Sequence, residues 1–159
     1  HLYRRRQRQM CIRDRHHYSF YDEFSGTLFM GDTLGLIYPH GDFVQPNLPP
    51  PDFDKEILFK TLDSFEKLEI NQLAIAHFGI HKNARVLIND AKESVENWIL
   101  FISNIKNLSN DDASNELLKW LTRNYESLGI DNETIKNYIG NGNFVMQIEG
   151  IRNYLKKRS

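Results

Sequence analysis

Hydrophobic positions along the chain change period several times, and each change predicts an element. Aromatic and polar residues alternate through residues 16–21, as on a half-buried strand. Asp22–Gly26 supplies turn residues, and apolar positions resume from Thr27 to Met30, so residues 17–30 predict a β-hairpin. Residues 35–38 predict a further short extended piece. All five prolines then fall between Pro39 and Asp52, without periodicity. Proline fixes φ and denies a ladder its donor, so this stretch predicts an extended loop of the length that covers sites.

Helical spacing follows. Asp52 or Asp54 is positioned to cap a helix with Glu56 in its first turn, and Ile57, Leu58, Leu62, Phe65 and Leu68 share one face. Gln72–Ala76 predicts a short buried strand ending at His77. After the turn at Gly79, Leu87, Ala91, Val95, Trp98, Ile102 and Ile105 mark a second amphipathic helix. A hairpin followed by helix, strand and helix predicts α/β layering for residues 16–107.

The tail changes character. Ser109 and Asp112 have the spacing of a capping box, opening a helix with Leu117, Leu121, Tyr125 and Leu128 on one side and a stop at Gly129. A short helix over 131–138 precedes a last one with Phe144, Ile148, Ile151 and Leu155 in line, closed by Lys156-Lys157-Arg158 against its dipole. Residues 108–159 thus predict a helical appendage.

Charge alters the picture at the N-terminus. Residues 1–15 hold six arginines, one aspartate and the single cysteine without periodicity. They resemble translated sequencing-adapter sequence, and the expectation is a non-native or disordered prefix, with a basic nucleic-acid arm as the competing reading. Without them the balance is 14 basic to 20 acidic residues, a formal −6, which disfavours a nucleic-acid surface. The remainder has no cysteine, so a metal would be held by histidine and carboxylate. The sequence has neither an apolar run of membrane-spanning length nor a secretory pattern, which predicts a cytoplasmic protein with no membrane partner.

Two strand ends carry the candidate chemistry. Leu28-Phe29-Met30-Gly31-Asp32 stops a strand with a carboxylate at a glycine turn, a way to aim a ligand at a metal as well as ordinary turn chemistry. Ala76-His77-Phe78-Gly79 ends the later strand with an imidazole, 45 positions on. In this order, with the loop and helix between, these features resemble the C-terminal half of the metallo-β-lactamase fold, and Ser19–Asp32 resembles the corresponding hairpin of those hydrolases. The resemblance covers residues 16–105. It implies an αββα sandwich of which this is the C-terminal half. It further implies that Asp32 bridges two divalent ions and His77 binds one, with Zn²⁺ expected and Fe or Mn admissible. A metal-activated water then attacks an ester, thioester, lactam or phosphodiester bond of a small-molecule substrate.

The family's His-x-His-x-Asp-His motif occurs nowhere in this sequence. The resemblance therefore implies a truncated half, inactive alone, with zinc not stably held and with an exposed apolar face prone to self-association. His16 and His17 stand near the place of a further family ligand and read as second-shell or strand-edge residues. His40, beside Asp42 in the proline-rich loop, reads as a substrate-mouth or an exposed residue. His81 reads as a surface histidine, and the Trp98–Phe101 region as core. The alternative is a non-enzymatic interaction module whose helical tail binds a partner or DNA.

Overall fold

The computed structural model describes residues 9–13, 18–38, 43–77, 79–139 and 144–158. The chain is mixed α/β. Among the described residues, seven strands run in chain order as β1 (Gln9–Arg13), β2 (Tyr18–Asp22), β3 (Thr27–Gly31), β4 (Leu36–Ile37), β5 (Val44–Gln45), β6 (Gln72–Ile75) and β7 (Ile80–His81). The helices of the described residues are α1 (Lys55–Ser64), α2 (Ala84–Asn104), α3 (Asn110–Ser127), α4 (Asn132–Ile139) and α5 (Phe144–Lys156). One sheet has the order β1-β2-β3-β6-β7, and β4 and β5 pair separately.

The predicted hairpin forms, with Phe20 opposite Phe29 and Tyr21 opposite Leu28. Gly26, at φ +65, turns it against the Asn71 side chain, where any Cβ would overlap the amide. β3 and β6 then lie parallel and side by side, joined through the segment that contains α1. Period-two alternation puts Tyr21, Leu28, Met30, Leu73 and Ile75 under the helices. The same alternation turns Phe20, Phe29, Ala74 and Ile80 outward, and these four are successive partners across β2, β3, β6 and β7. Tyr18, Phe20 and Phe29 are each about half exposed and Ile80 more so, giving an apolar row on the outer face.

α1 is capped by Asp54, whose side chain accepts from the Ile57 amide at 3.1 Å. It ends at Ser64, earlier than the apolar spacing suggested, and a single 3-10 turn, Phe65–Lys67, keeps Phe65 in the core. Tighter winding carries the apolar stripe one turn beyond the α-helix. α2 is the longest element at 21 residues. Its first half (Ala84, Leu87, Ile88, Ala91) packs into the sheet's core, and its second half (Val95, Trp98, Ile102) into a second core built from α3, α4 and α5. Trp98 is core, as the sequence suggests. The Ser109 side chain accepts from Asp112 N at 3.1 Å and opens α3, while Gly129 ends it at φ +79.

α5 fastens the helical cluster to the proline-rich segment. The Gln147 side chain accepts from Leu48 N and donates to Asn47 Oδ1 at 3.3 Å. Tyr154 donates to Glu56 at 3.0 Å, Arg158 pairs with the same carboxylate at 2.7 Å, and Lys157 donates to Pro51 O at 2.7 Å. Gly150 lies directly against the Leu48 carbonyl.

Three strands differ from expectation. Val44–Gln45 forms β5 inside the proline-rich loop, because the two residues before Pro46 pair with β4 and bury Val44. Ile80–His81 forms β7, placing His81 in the sheet opposite Leu73 instead of on a surface or helix. Gln9–Arg13, within the stretch set apart as a prefix, pairs along β2 as β1. A strand edge recruits backbone and asks little of side chains, so charge and missing periodicity do not exclude pairing. Among the described residues, no helix is long and apolar enough to cross a membrane.

Candidate metal centre

The site begins with a bulge. Phe29 pairs with Ala74 and Gly31 with Ile75, so one residue of β3 is extra and the strand bends just before its end. Gly31 then takes φ +54, a left-handed conformation that side chains rarely adopt. Ala76 N donates to Gly31 O at 3.1 Å, tying the two strand ends together. Thr33 N donates to Met30 O at 3.1 Å and Gly35 N to Asp32 O at 3.0 Å, so Asp32 sits in a tight, internally bonded turn. His77 leaves β6 at the adjacent end, and Gly79, at φ +96, reverses the chain toward β7.

These turns place His77 Nε2 3.5 Å from Asp32 Oδ1. The imidazole is about half exposed and the carboxylate about one third. Asp32 Oδ1 itself is buried with no hydrogen-bond partner among the described residues. At 3.5 Å the contact is too long for a strong hydrogen bond. Two donors each about 2.1 Å from a tetrahedral ion lie roughly 3.4 Å apart, so the spacing fits two ligands of one cation. A carboxylate oxygen and a neutral imidazole nitrogen are suitable donors for Zn²⁺, and for Fe or Mn. The pair fits a metal but does not complete its shell. Among the described residues, no group of three or more His, Cys, Asp or Glu is gathered to hold an ion.

The other candidates do not join the pair. His16, His17 and His40 lie outside the described residues. His81 pairs with Leu73, toward the opposite end of β6, and its Nε2 is buried without a hydrogen-bond partner. Two polar residues were not singled out from sequence. Thr33, beside Asp32, and Gln45, on β5, are each 6% exposed, with Oγ1 and Oε1 unpartnered. A lone threonine after a Gly-Asp turn, or a glutamine before proline, has no periodicity to mark it. Cavities of about 620, 460 and 540 Å³ open elsewhere and have neither Asp32 nor His77 in their walls.

No protein-family model and no curated protein matches the sequence. Among solved structures, the chain is similar to a metallo-beta-lactamase family protein from Thermus thermophilus, with a TM-score of 0.56 and 16% sequence identity. The similarity covers 89% of this chain and 40% of that one, so the chain spans well under half the length of its structural relative. At this identity the likeness speaks for the fold alone: a mixed α/β arrangement similar to that of the matched part of the metallo-beta-lactamase family protein.

Proposed function

We propose that this chain contributes two ligands, Asp32 and His77, to the centre of a metal-dependent hydrolase of the metallo-β-lactamase superfamily, acting on an ester, thioester, lactam or phosphodiester bond of a small molecule. One observation carries the reading: Asp32 Oδ1, buried and without a hydrogen-bond partner among the described residues, lies 3.5 Å from His77 Nε2, at the ends of adjacent parallel strands. Leaving a buried acceptor unmet costs about 1–3 kcal/mol, and a cation at that oxygen removes the penalty. Asp32 and His77 would hold a Zn²⁺ as two of its ligands, and the chemistry it would supply there is activation of a water near neutral pH and polarisation of the scissile bond.

The chain's own residues hold and aim. Backbone bonds in the Met30–Gly35 turn hold the Asp32 backbone, and its Oδ1 lies 3.5 Å from the imidazole. The positive φ at Gly79 carries the backbone away after His77 and leaves the imidazole accessible. Two ligands leave an open coordination sphere, and in this reading the remaining ligands come from polypeptide beyond the described residues. The outward row of Phe20, Phe29 and Ile80 supports the same view, because it has the character of the inner face of a two-sheet sandwich. The chain by itself is then expected to bind zinc weakly and to turn over no substrate.

Calorimetric titration with zinc at neutral pH tests this. The chain should bind one equivalent weakly, and Asp32→Ala and His77→Ala should each abolish that binding. Equal affinity in both variants would remove Asp32 and His77 from the site. Stoichiometric zinc retention with hydrolase turnover by this chain alone would overturn the claim that further ligands are needed.

A further inference from the structure

A cavity of about 620 Å³ opens between the segment that follows α1 and the first turns of α2. Its two walls differ in chemistry. The α2 wall presents Arg85 and Asn89, four residues apart and therefore on one helix face. The opposite wall presents Glu66, Glu69 and Asn71. Between them the floor is apolar. Phe65 and Ile88 are buried in the sheet's core, and Leu68 and Ile70 are half-buried against it.

Some of these charges are already committed and some are not. Lys92 pairs with Glu66 at 3.5 Å and with Asp63. Arg85 and Glu69, both exposed, make no side-chain hydrogen bond or ion pair among the described residues, either with each other or with a neighbour. Asn71 donates Nδ2 to Ser25 O at 3.1 Å, which leaves its Oδ1 as an acceptor. One wall thus offers a carboxylate and an amide oxygen, and the other a guanidinium and an amide.

The acceptor wall is held before any ligand arrives. Leu68 N donates to Phe65 O at 3.0 Å, the Tyr21 hydroxyl to Glu69 O at 2.7 Å, and Asn71 N to Gly26 O at 2.8 Å. Those acceptors and donors come from the 3-10 turn, β2 and the hairpin turn, so the segment is pinned from three directions. A wall fixed in this way loses little freedom on binding. A purely anionic ligand would meet Glu69 as well as Arg85, and a purely cationic one the reverse. A purely apolar ligand would shield both charges from water without replacing their hydration. A molecule with a carboxylate, an ammonium and an apolar body satisfies both walls and the floor together. The volume lies within the range of small-molecule sites.

We propose that this cavity binds a small apolar zwitterion, a free aliphatic amino acid or a short peptide of such residues. Its carboxylate lies on Arg85, its ammonium on Glu69 and Asn71 Oδ1, and its side chain on Leu68 and Ile70. Asn71 precedes β6, whereas His77 follows it, so the cavity sits at the far end of that strand from the Asp32–His77 pair. The test titrates the full chain, with a chelator present to exclude metal, with L-leucine and with leucyl-leucine while amide chemical shifts are followed by NMR. Saturable shifts are expected, centred on residues 65–71 and 85–89. Tighter binding of the dipeptide assigns a peptide, and equal or tighter binding of leucine assigns the free amino acid. N-acetyl-leucine, which lacks the ammonium, and leucinamide, which lacks the carboxylate, should each bind about tenfold more weakly or worse. Arg85→Ala should weaken leucine binding by a similar factor and leave leucinamide unchanged. Glu69→Gln should weaken leucine and leave N-acetyl-leucine unchanged. Both side chains are exposed, so each variant should keep the parent's urea midpoint. Absence of saturation by both probes, blocked analogues that bind as tightly as leucine, or equal leucine affinity in both variants would overturn the assignment.

Discussion

Gly150→Ala separates two opposed physical effects. Glycine inside a helix is about 1 kcal/mol worse than alanine, so propensity alone says that the substitution stabilises α5. Packing says the reverse. A Cβ at position 150 would fall 1.8 Å from Leu48 O, 3.0 Å from Leu48 C and 3.3 Å from Pro49 C. The obstacle is backbone, not a side chain that can swing aside. Leu48 is fully buried and sits among Pro46, Pro49, Pro50 and Pro51, so its carbonyl has little room to retreat. Even a 3.0 Å contact requires a displacement of about 1.2 Å, a shift of the size that overpacked cores meet at roughly 1–3 kcal/mol. The same shift pulls Leu48 N from Gln147 and Asn47 from the Gln147 amide, each worth about 1 kcal/mol. Against the helical gain of about 1 kcal/mol, the net expectation is destabilisation by about 2–4 kcal/mol. Urea unfolding followed by circular dichroism reads it as a lower midpoint at unchanged slope. A midpoint equal to or above that of the parent would mean that α5 is not pressed onto the proline-rich segment.

Three further outcomes follow from the geometry. Phe20→Lys with Phe29→Glu replaces the centre of the outward apolar row, and sedimentation should show the parent self-associating and the double variant at least about tenfold less so. A sharply monomeric parent would contradict this. Gly31→Ala has space, its nearest neighbour being Tyr18 O at 4.0 Å, but must hold φ +54; it should cost about 1 kcal/mol in urea unfolding and weaken zinc binding by moving Asp32. Burial, and then the hydrogen bond to Glu56, push the Tyr154 phenol up to about 12. A raised folded-state value favours the protonated ring. Its contribution is therefore complete below pH 10, where unfolded tyrosine titrates, and fades as pH climbs toward 12. Tyr154→Phe should show less loss of stability over that window than the parent, and parallel curves would refute the coupling.

Sequence periodicity revealed the elements that are long enough to have one. The Thr27–Met30 alternation, the α2 stripe from Leu87 to Ile102 and the tail helices all stand where spacing put them. Asp32 and His77 were readable as strand-end residues, but their 3.5 Å separation was not. It arises from parallel pairing of β3 with β6 and from a bulge next to Gly31, both set by contacts more than forty residues apart in sequence. β5 and β7 have two residues each, too few for any period. The hold of α5 on the proline-rich segment rests on Gln147 and Gly150, and a glutamine and a glycine within an amphipathic helix look unremarkable until their partner is known.

α2 belongs to both cores at once. Cutting the chain after residue 107, where composition suggests a natural division, would strip cover from Val95, Trp98 and Ile102 while leaving them tethered to Ala84, Leu87 and Ala91. A helix that serves two cores makes their melting a joint event, since fraying at one end withdraws support from the other. Amide protons under the sheet and in the tail should therefore exchange at a common rate set by global opening. The strand ends that carry Asp32 and His77 are thus steadied by residues that never approach them.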